Sequence, residues 1–158
     1  MIVLGIDPGQ RTLGYCVAQF IGQRREHHVS GSVKEVETDL VSWLSGMLDA
    51  HRPDVVGIED HVWMGAEKSA NPQAFSISKL VGSLAGAALM WSRLRGAGLG
   101  VFLVPKQRCN AAIGITGKVP KARVKRAVEA LFPAVPFKNE HERDAVAVCM
   151  AAKQRANG

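Results

Sequence analysis

Residues 2–7, IVLGID, restrict this chain more than any other stretch. An apolar run rich in β-branched residues ends in a carboxylate, and Pro8-Gly9 follows at once. Such a run reads as a buried strand, and Pro-Gly turns the chain at its end. Any fold must therefore bury the strand while delivering an acid, Asp7, at its tip. The pattern recurs at 54–60, DVVGIED, a second buried strand that closes on Glu59 and Asp60.

The remaining elements follow from periodicity. Residues 13–20 and 27–33 suit two more strands, joined through GQRRE, so the opening reads as an antiparallel meander. Leu40, Val41, Leu44 and Leu48 fall at helical spacing and predict a helix over 37–51, with Thr38 as a candidate cap. A long helix over about 72–95 carries Phe75, Leu80, Leu84, Ala88 and Trp91, and Gly96-Ala97-Gly98 ends it. Residues 100–105, GVFLVP, form the fifth strand. Helices at about 106–113, 120–132 and 142–155 complete the chain, with loops at 114–119 and 133–141. Three meander strands followed by alternating helix and strand predict an α/β fold. Its mixed five-stranded sheet, part antiparallel meander and part parallel, is flanked by helices. At 158 residues the expectation is a single domain over 1–158.

Composition narrows the classes. No apolar run reaches the roughly 18–20 residues that span a bilayer. The N-terminus has no basic region and carries Asp7 inside its apolar run, so a cytoplasmic chain is expected. Cys16, Cys109 and Cys149 form neither a disulfide framework nor a zinc spacing and read as buried thiols. Lys and Arg number 20 against 14 acids, a net charge of +6, which suits an anionic partner. Five of those bases lie in 118–126, KVPKARVKR, which holds no acid. The acids cluster elsewhere, at Asp7, Glu59-Asp60 and Glu140 to Asp144.

Asp7 and Glu59 each end a strand, and Asp144 lies in the first turn of the last helix with His141 three residues before it. Positions i and i+3 share a helix face, so His141 and Asp144 can face one site unless His141 precedes the helix. Phosphodiester hydrolysis by paired cations needs such a set, because hard divalent ions favour carboxylate oxygens. Gathered carboxylates repel unless a cation or a proton neutralises them. Blander readings stand beside these: Asp7 as a turn residue, Glu59 in a surface ion pair, Asp144 favouring the helix macrodipole, and His141 in a loop.

Five segments resemble, in order, those of the RuvC endonucleases, of the ribonuclease-H-like superfamily. They are MIVLGIDPGQRTLGYCV, DVVGIEDHVWM, PQAFSISKLVGSLAGAAL, KQRCNAAIGITGKVPKARVKRAVEALF and HERDAVAVCMAA. The resemblance covers nearly the whole chain. It implies that Asp7, Glu59, His141 and Asp144 are catalytic ligands of two divalent ions, Mg²⁺ or Mn²⁺. Many relatives have Asp where this chain has His141, and neutral imidazole favours manganese over magnesium. Lys121 best matches the family lysine beside the scissile phosphate, where it can stabilise transition-state charge, with Lys118 a close competitor. Lys106 and Arg108, after the fifth strand, are expected to reach phosphates. Arg123, Lys125 and Arg126 are expected to meet DNA backbone further out. Trp63 stands where the family has a stacking aromatic near the branch point, one residue further from the acid than usual, although a packing role suits it too.

What the resemblance implies is a homodimeric, structure-selective endonuclease that resolves four-way (Holliday) junctions in recombination and repair by paired, symmetric nicks. The 72–95 helix is the candidate dimer surface, and branch-migration proteins are candidate partners. Alternatives are a nuclease for forks, flaps or other branched DNA, including phage-encoded forms, and a non-catalytic junction binder. An actin-like or sugar-kinase-like nucleotide binder also shares the acidic loop after its first strand, but needs a longer chain.

Overall fold

The computed structural model describes residues 1–9, 11–34, 39–60, 72–117, 120–133 and 135–158. Five strands, β1 (Ile2–Pro8), β2 (Thr12–Ile21), β3 (Arg24–Lys34), β4 (Val55–Asp60) and β5 (Gly100–Pro105), form one sheet in the order β3-β2-β1-β4-β5. The β1–β2 and β2–β3 pairs are antiparallel, whereas β1–β4 and β4–β5 are parallel. This is the mixed sheet the sequence predicts. Around it lie α1 (Leu40–His51), α2 (Pro72–Arg95), α3 (Lys106–Ala112), α4 (Lys121–Leu131) and α5 (Glu140–Asn157).

Strand parity divides the core in two. On β1 and β4, Leu4, Ile6, Val56 and Ile58 face one side, with Leu40, Leu44, Leu48, Val81, Leu84 and Ala88 of α1 and α2. Val3 and Val55 face the other, against α3, α4 and the Ala145–Ala152 stretch of α5. Successive strand side chains alternate, so Gly5, Asp7, Gly57 and Glu59 also belong to the α5 side. The two glycines matter there. A Cβ on Gly5 would collide with the α5 backbone at Ala145 and Cys149, and one on Gly57 with the Ala152 side chain. Because both lack one, α5 lies against the sheet and brings its first turn to the tips of β1 and β4.

Several boundaries differ from expectation. The β2–β3 connection is only Gly22-Gln23, with Gly22 at φ 59°. A glycine in that conformation permits a two-residue turn. GQRRE is therefore not a loop, and β3 begins at Arg24, not at residue 27. The exposed Arg24 meets Glu26 at 3.2 Å along the sheet edge. Asp39, not Thr38, caps α1, accepting from the N–H groups of Val41 and Ser42; Thr38 lies outside the described residues. The last helix starts at Glu140 rather than 142, because Asn139 caps it by accepting from the Glu142 N–H. His141 is thereby within the helix. Helices α3 and α4 stop one residue short of expectation, at Ala112 and Leu131, and α4 starts one residue late, after Pro120.

All three cysteines are free and buried, as their apolar surroundings require. No described helix is long and apolar enough to cross a membrane.

Candidate active site

Three strand ends and one helix end meet at the carboxyl edge of the parallel strands. Asp7, at the tip of β1, is 4% exposed, and Glu59, at the tip of β4, is 1% exposed. Since Ile6 pairs with Ile58 in parallel register, the two acids are the next residues of neighbouring strands on the same face. From above, α5 contributes His141 and Asp144, one helical step apart. Lys106 enters from the fourth direction as the first residue of α3, directly after Pro105 of β5.

Contacts within the set are short. His141 Nδ1 lies 2.7 Å from Asp7 Oδ2. The Lys106 ammonium donates to Glu59 Oε2 at 3.0 Å and to Asp144 Oδ2 at 2.9 Å. With the Nδ1 proton given to Asp7, a neutral His141 keeps its lone pair on Nε2, the form that binds metals.

The electrostatics show a site short of positive charge. Burial, reinforced by the charge of Asp7, pushes the Glu59 carboxyl up to about 7 from 4.5, against the pull of Lys106. Asp144 is raised too, again by burial first, with Lys106 opposing. Burial acts to lower Lys106, but Glu59 and Asp144 outweigh it and hold its ammonium above the ordinary lysine range. His141 is raised by its hydrogen bond to Asp7, against burial. Carboxylates packed this closely stay ionised together only when cations are added.

The donors fit a hard divalent ion: three carboxylates and an imidazole, with an ammonium standing in for positive charge. As they stand they form an Asp7–His141 pair and a Glu59–Lys106–Asp144 bridge. Among the described residues, no three His, Cys, Asp or Glu side chains yet converge on a single ion position.

Of the residues expected here, Asp7, Glu59, His141 and Asp144 are brought together. Lys121 is not on the carboxylates. It sits exposed in the first turn of α4, its ammonium 2.8 Å from Glu140 Oε2, beside the start of α5. Arg123, Lys125 and Arg126 are exposed along the same helix, and Arg108 is exposed on α3. Lys118 and Trp63 lie outside the described residues. Sequence reasoning placed Lys106 near phosphates but missed its bridge between two acids. The signal was present, since Lys106 follows a buried strand just as the acids end theirs. It also passed over Glu142, which is 2% exposed; Asn139-x-x-Glu142 has the spacing of a capping box.

The family described as "Crossover junction endodeoxyribonuclease RuvC" matches residues 3–152. The chain is 32% identical over 161 residues to the crossover junction endodeoxyribonuclease RuvC of Citrifermentans bemidjiense, covering 96% of this chain and 92% of that protein. Among solved structures, Thermus thermophilus RuvC superposes with a TM-score of 0.69 at 22% identity, over 99% of this chain and 96% of that one. The same protein in complex with a Holliday junction substrate gives a TM-score of 0.69 at 20% identity, with the same coverage.

Proposed function

The chain belongs to the RuvC family of crossover junction endodeoxyribonucleases, and on that premise we propose that it resolves four-way DNA junctions by paired, symmetric nicks. Residues 1–158 then form one nuclease domain. The observation that carries the reading is the convergence of Asp7, Glu59, His141 and Asp144 at one sheet edge, with Lys106 lodged between two of the acids.

The family is divalent-metal dependent, and Asp7, Glu59, His141 and Asp144 would hold two such ions, Mg²⁺ or Mn²⁺. When bound, these activate water and neutralise the leaving oxygen. The rest falls to the chain's own groups. Asp7 orients the His141 ring and fixes its tautomer. Lys106 bridges Glu59 and Asp144 and draws both toward the ionised form, against the burial that raises them. Lys121 is the candidate for stabilising charge on the phosphate in the transition state, and to do so it leaves Glu140. Arg108, Lys118, Arg123, Lys125 and Arg126 are proposed to hold the DNA backbone, which positions a substrate without reading its bases. Trp63 is proposed to stack at the branch point. Cleavage then leaves 5′-phosphate and 3′-hydroxyl ends.

A four-way junction has two-fold symmetry, so paired nicks call for a C2 dimer. Helix α2 presents Leu89, Met90 and Leu94 to solvent at 48%, 64% and 79% exposure. This apolar face is the proposed seat of a second copy. Trp91 is half-buried instead, its Nε1 donating to Asp49 at 3.1 Å.

The test is nicking of a labelled four-way junction beside a fork and a linear duplex, in magnesium and in manganese. Symmetric nicks confined to the junction, faster in manganese, are expected. Equal cutting of linear duplex overturns the substrate assignment, and equal or faster rates in magnesium overturn the metal preference.

A further inference from the structure

Glu142 lies between the two α5 residues of the site yet contributes nothing to it directly. It is 2% exposed, an unusual position for a carboxylate. One of its oxygens accepts from Ser32 Oγ of β3 at 3.1 Å, and the other from the Lys138 N–H at 3.0 Å. Asn139 closes the arrangement. Its amide donates to Ser32 Oγ at 2.9 Å while its carbonyl accepts from the Glu142 N–H at 3.0 Å. Four polar groups thus tie the first turn of α5 to a strand more than a hundred residues away in sequence.

The anchor point is informative. Ser32 pairs with Gly14, and Gly14 pairs with Asp7, so the three stand in one row across β3, β2 and β1. Gly14 is the low point of that row. A Cβ there would collide with the backbone carbonyl of His141. The turn that carries His141 and Asp144 therefore rests on the same row that carries Asp7, held down at its far end by Glu142.

We infer that Glu142 is the positioning residue of the site: through Ser32 and Lys138 it fixes the first turn of α5 over the Asp7–Gly14–Ser32 row, and so sets where His141 and Asp144 stand relative to Asp7. The inference rests on the nuclease reading above. Glu142 bonds neither ligand directly; it acts on the helical turn that carries both, so its loss displaces His141 and Asp144 together, and misplaced ligands lower metal affinity.

Manganese binding by calorimetry, junction nicking and thermal midpoint are measured on the full chain and on three variants. In Glu142→Ala, manganese affinity falls on the order of 10–100-fold and nicking slows in step, while junction affinity in chelator is unchanged. Glu142→Gln keeps an acceptor for the Lys138 N–H and can reach Ser32 only with the direction of that bond inverted, and so binds manganese more tightly than Glu142→Ala. Leu48→Ala truncates the core on the opposite face of the sheet; it lowers the thermal midpoint but leaves manganese affinity in place. Wild-type affinity in Glu142→Ala, a loss in Leu48→Ala as large as in Glu142→Ala, or a Gln variant no better than Ala each overturns the clamp. A wild-type chain that binds no manganese overturns the metal reading itself, and the clamp with it.

Discussion

Removing one buried charge should make the metal-free protein more stable while destroying its activity. The perturbation is Glu59→Gln, which keeps shape and one acceptor for Lys106. The Glu59 carboxyl titrates near 7 in the fold rather than at 4.5. An acid whose pKa is higher in the folded chain binds its proton more tightly there. It therefore favours the fold while protonated, and that advantage drains away as pH rises from 4.5 through about 7. Above this window the ionised side chain opposes folding. At about 1.4 kcal/mol per pH unit the effect is roughly 3 kcal/mol, and at 1% exposure solvent screening removes little of it. Asp144 and His141, both also raised, push the metal-free chain the same way. For a protein of this size, roughly 3 kcal/mol corresponds to about 6–12 °C in thermal midpoint. The assay is thermal melting in chelator at about pH 8.5 and about pH 4.5, with wild type and Glu59→Gln in parallel. The variant should melt higher at the upper pH, the gap should close at the lower, and junction cleavage should be lost. A variant that melts at or below wild type at the upper pH refutes the reasoning.

Other outcomes follow from the same geometry. Asp7→Asn should abolish nicking, seen on denaturing gels, and spare junction binding, seen by mobility shift; retained nicking would reject the role of Asp7. Lys106→Met leaves Glu59 and Asp144 without their shared cation. It should lower metal-free stability in urea by about 1–2 kcal/mol, allowing for the 39% exposure of the lysine, while lowering the manganese concentration needed for half-saturation. Charging the α2 face with Met90→Glu and Leu94→Glu should shift sedimentation from dimer to monomer while the far-ultraviolet circular dichroism of the folded chain is kept; unchanged sedimentation places the dimer elsewhere.

Much of this was legible in the chain because burial and charge were written into the same short runs. IVLGID and DVVGIED each say that a strand is buried and that an acid stands at its end. Strand alternation then puts Asp7 and Glu59 on one face once the register is known. Less legible were groups whose role depends on contacts made far along the chain. Lys106 reads as a phosphate-seeking lysine until β5 is laid beside β4, when its ammonium falls between two acids. Glu142, set among charged neighbours in HERDAV, reads as a solvated helix face. Only the approach of β3, through Ser32, makes it a buried residue. Boundaries failed where the choice was between neighbouring cap-forming residues. Thr38 and Asp39 both suit a cap on composition, and Asn139 looked like loop because the helix signal after it was polar.

The docking of α5 on Gly5 and Gly57 also sets when, in the life of each molecule, the proposed site can assemble. Asp7 is made well before its partner His141, which follows 134 positions later. Synthesis at roughly 5–20 residues per second separates them by many seconds. A nascent chain can pair β1 with β2 and β2 with β3 early, since these contacts are local, yet it leaves Asp7 without His141 above it. On the proposed ligand set the site is complete only once α5 has been made and docked, so a copy stalled before α5 would carry Asp7 and Glu59 without His141 and Asp144.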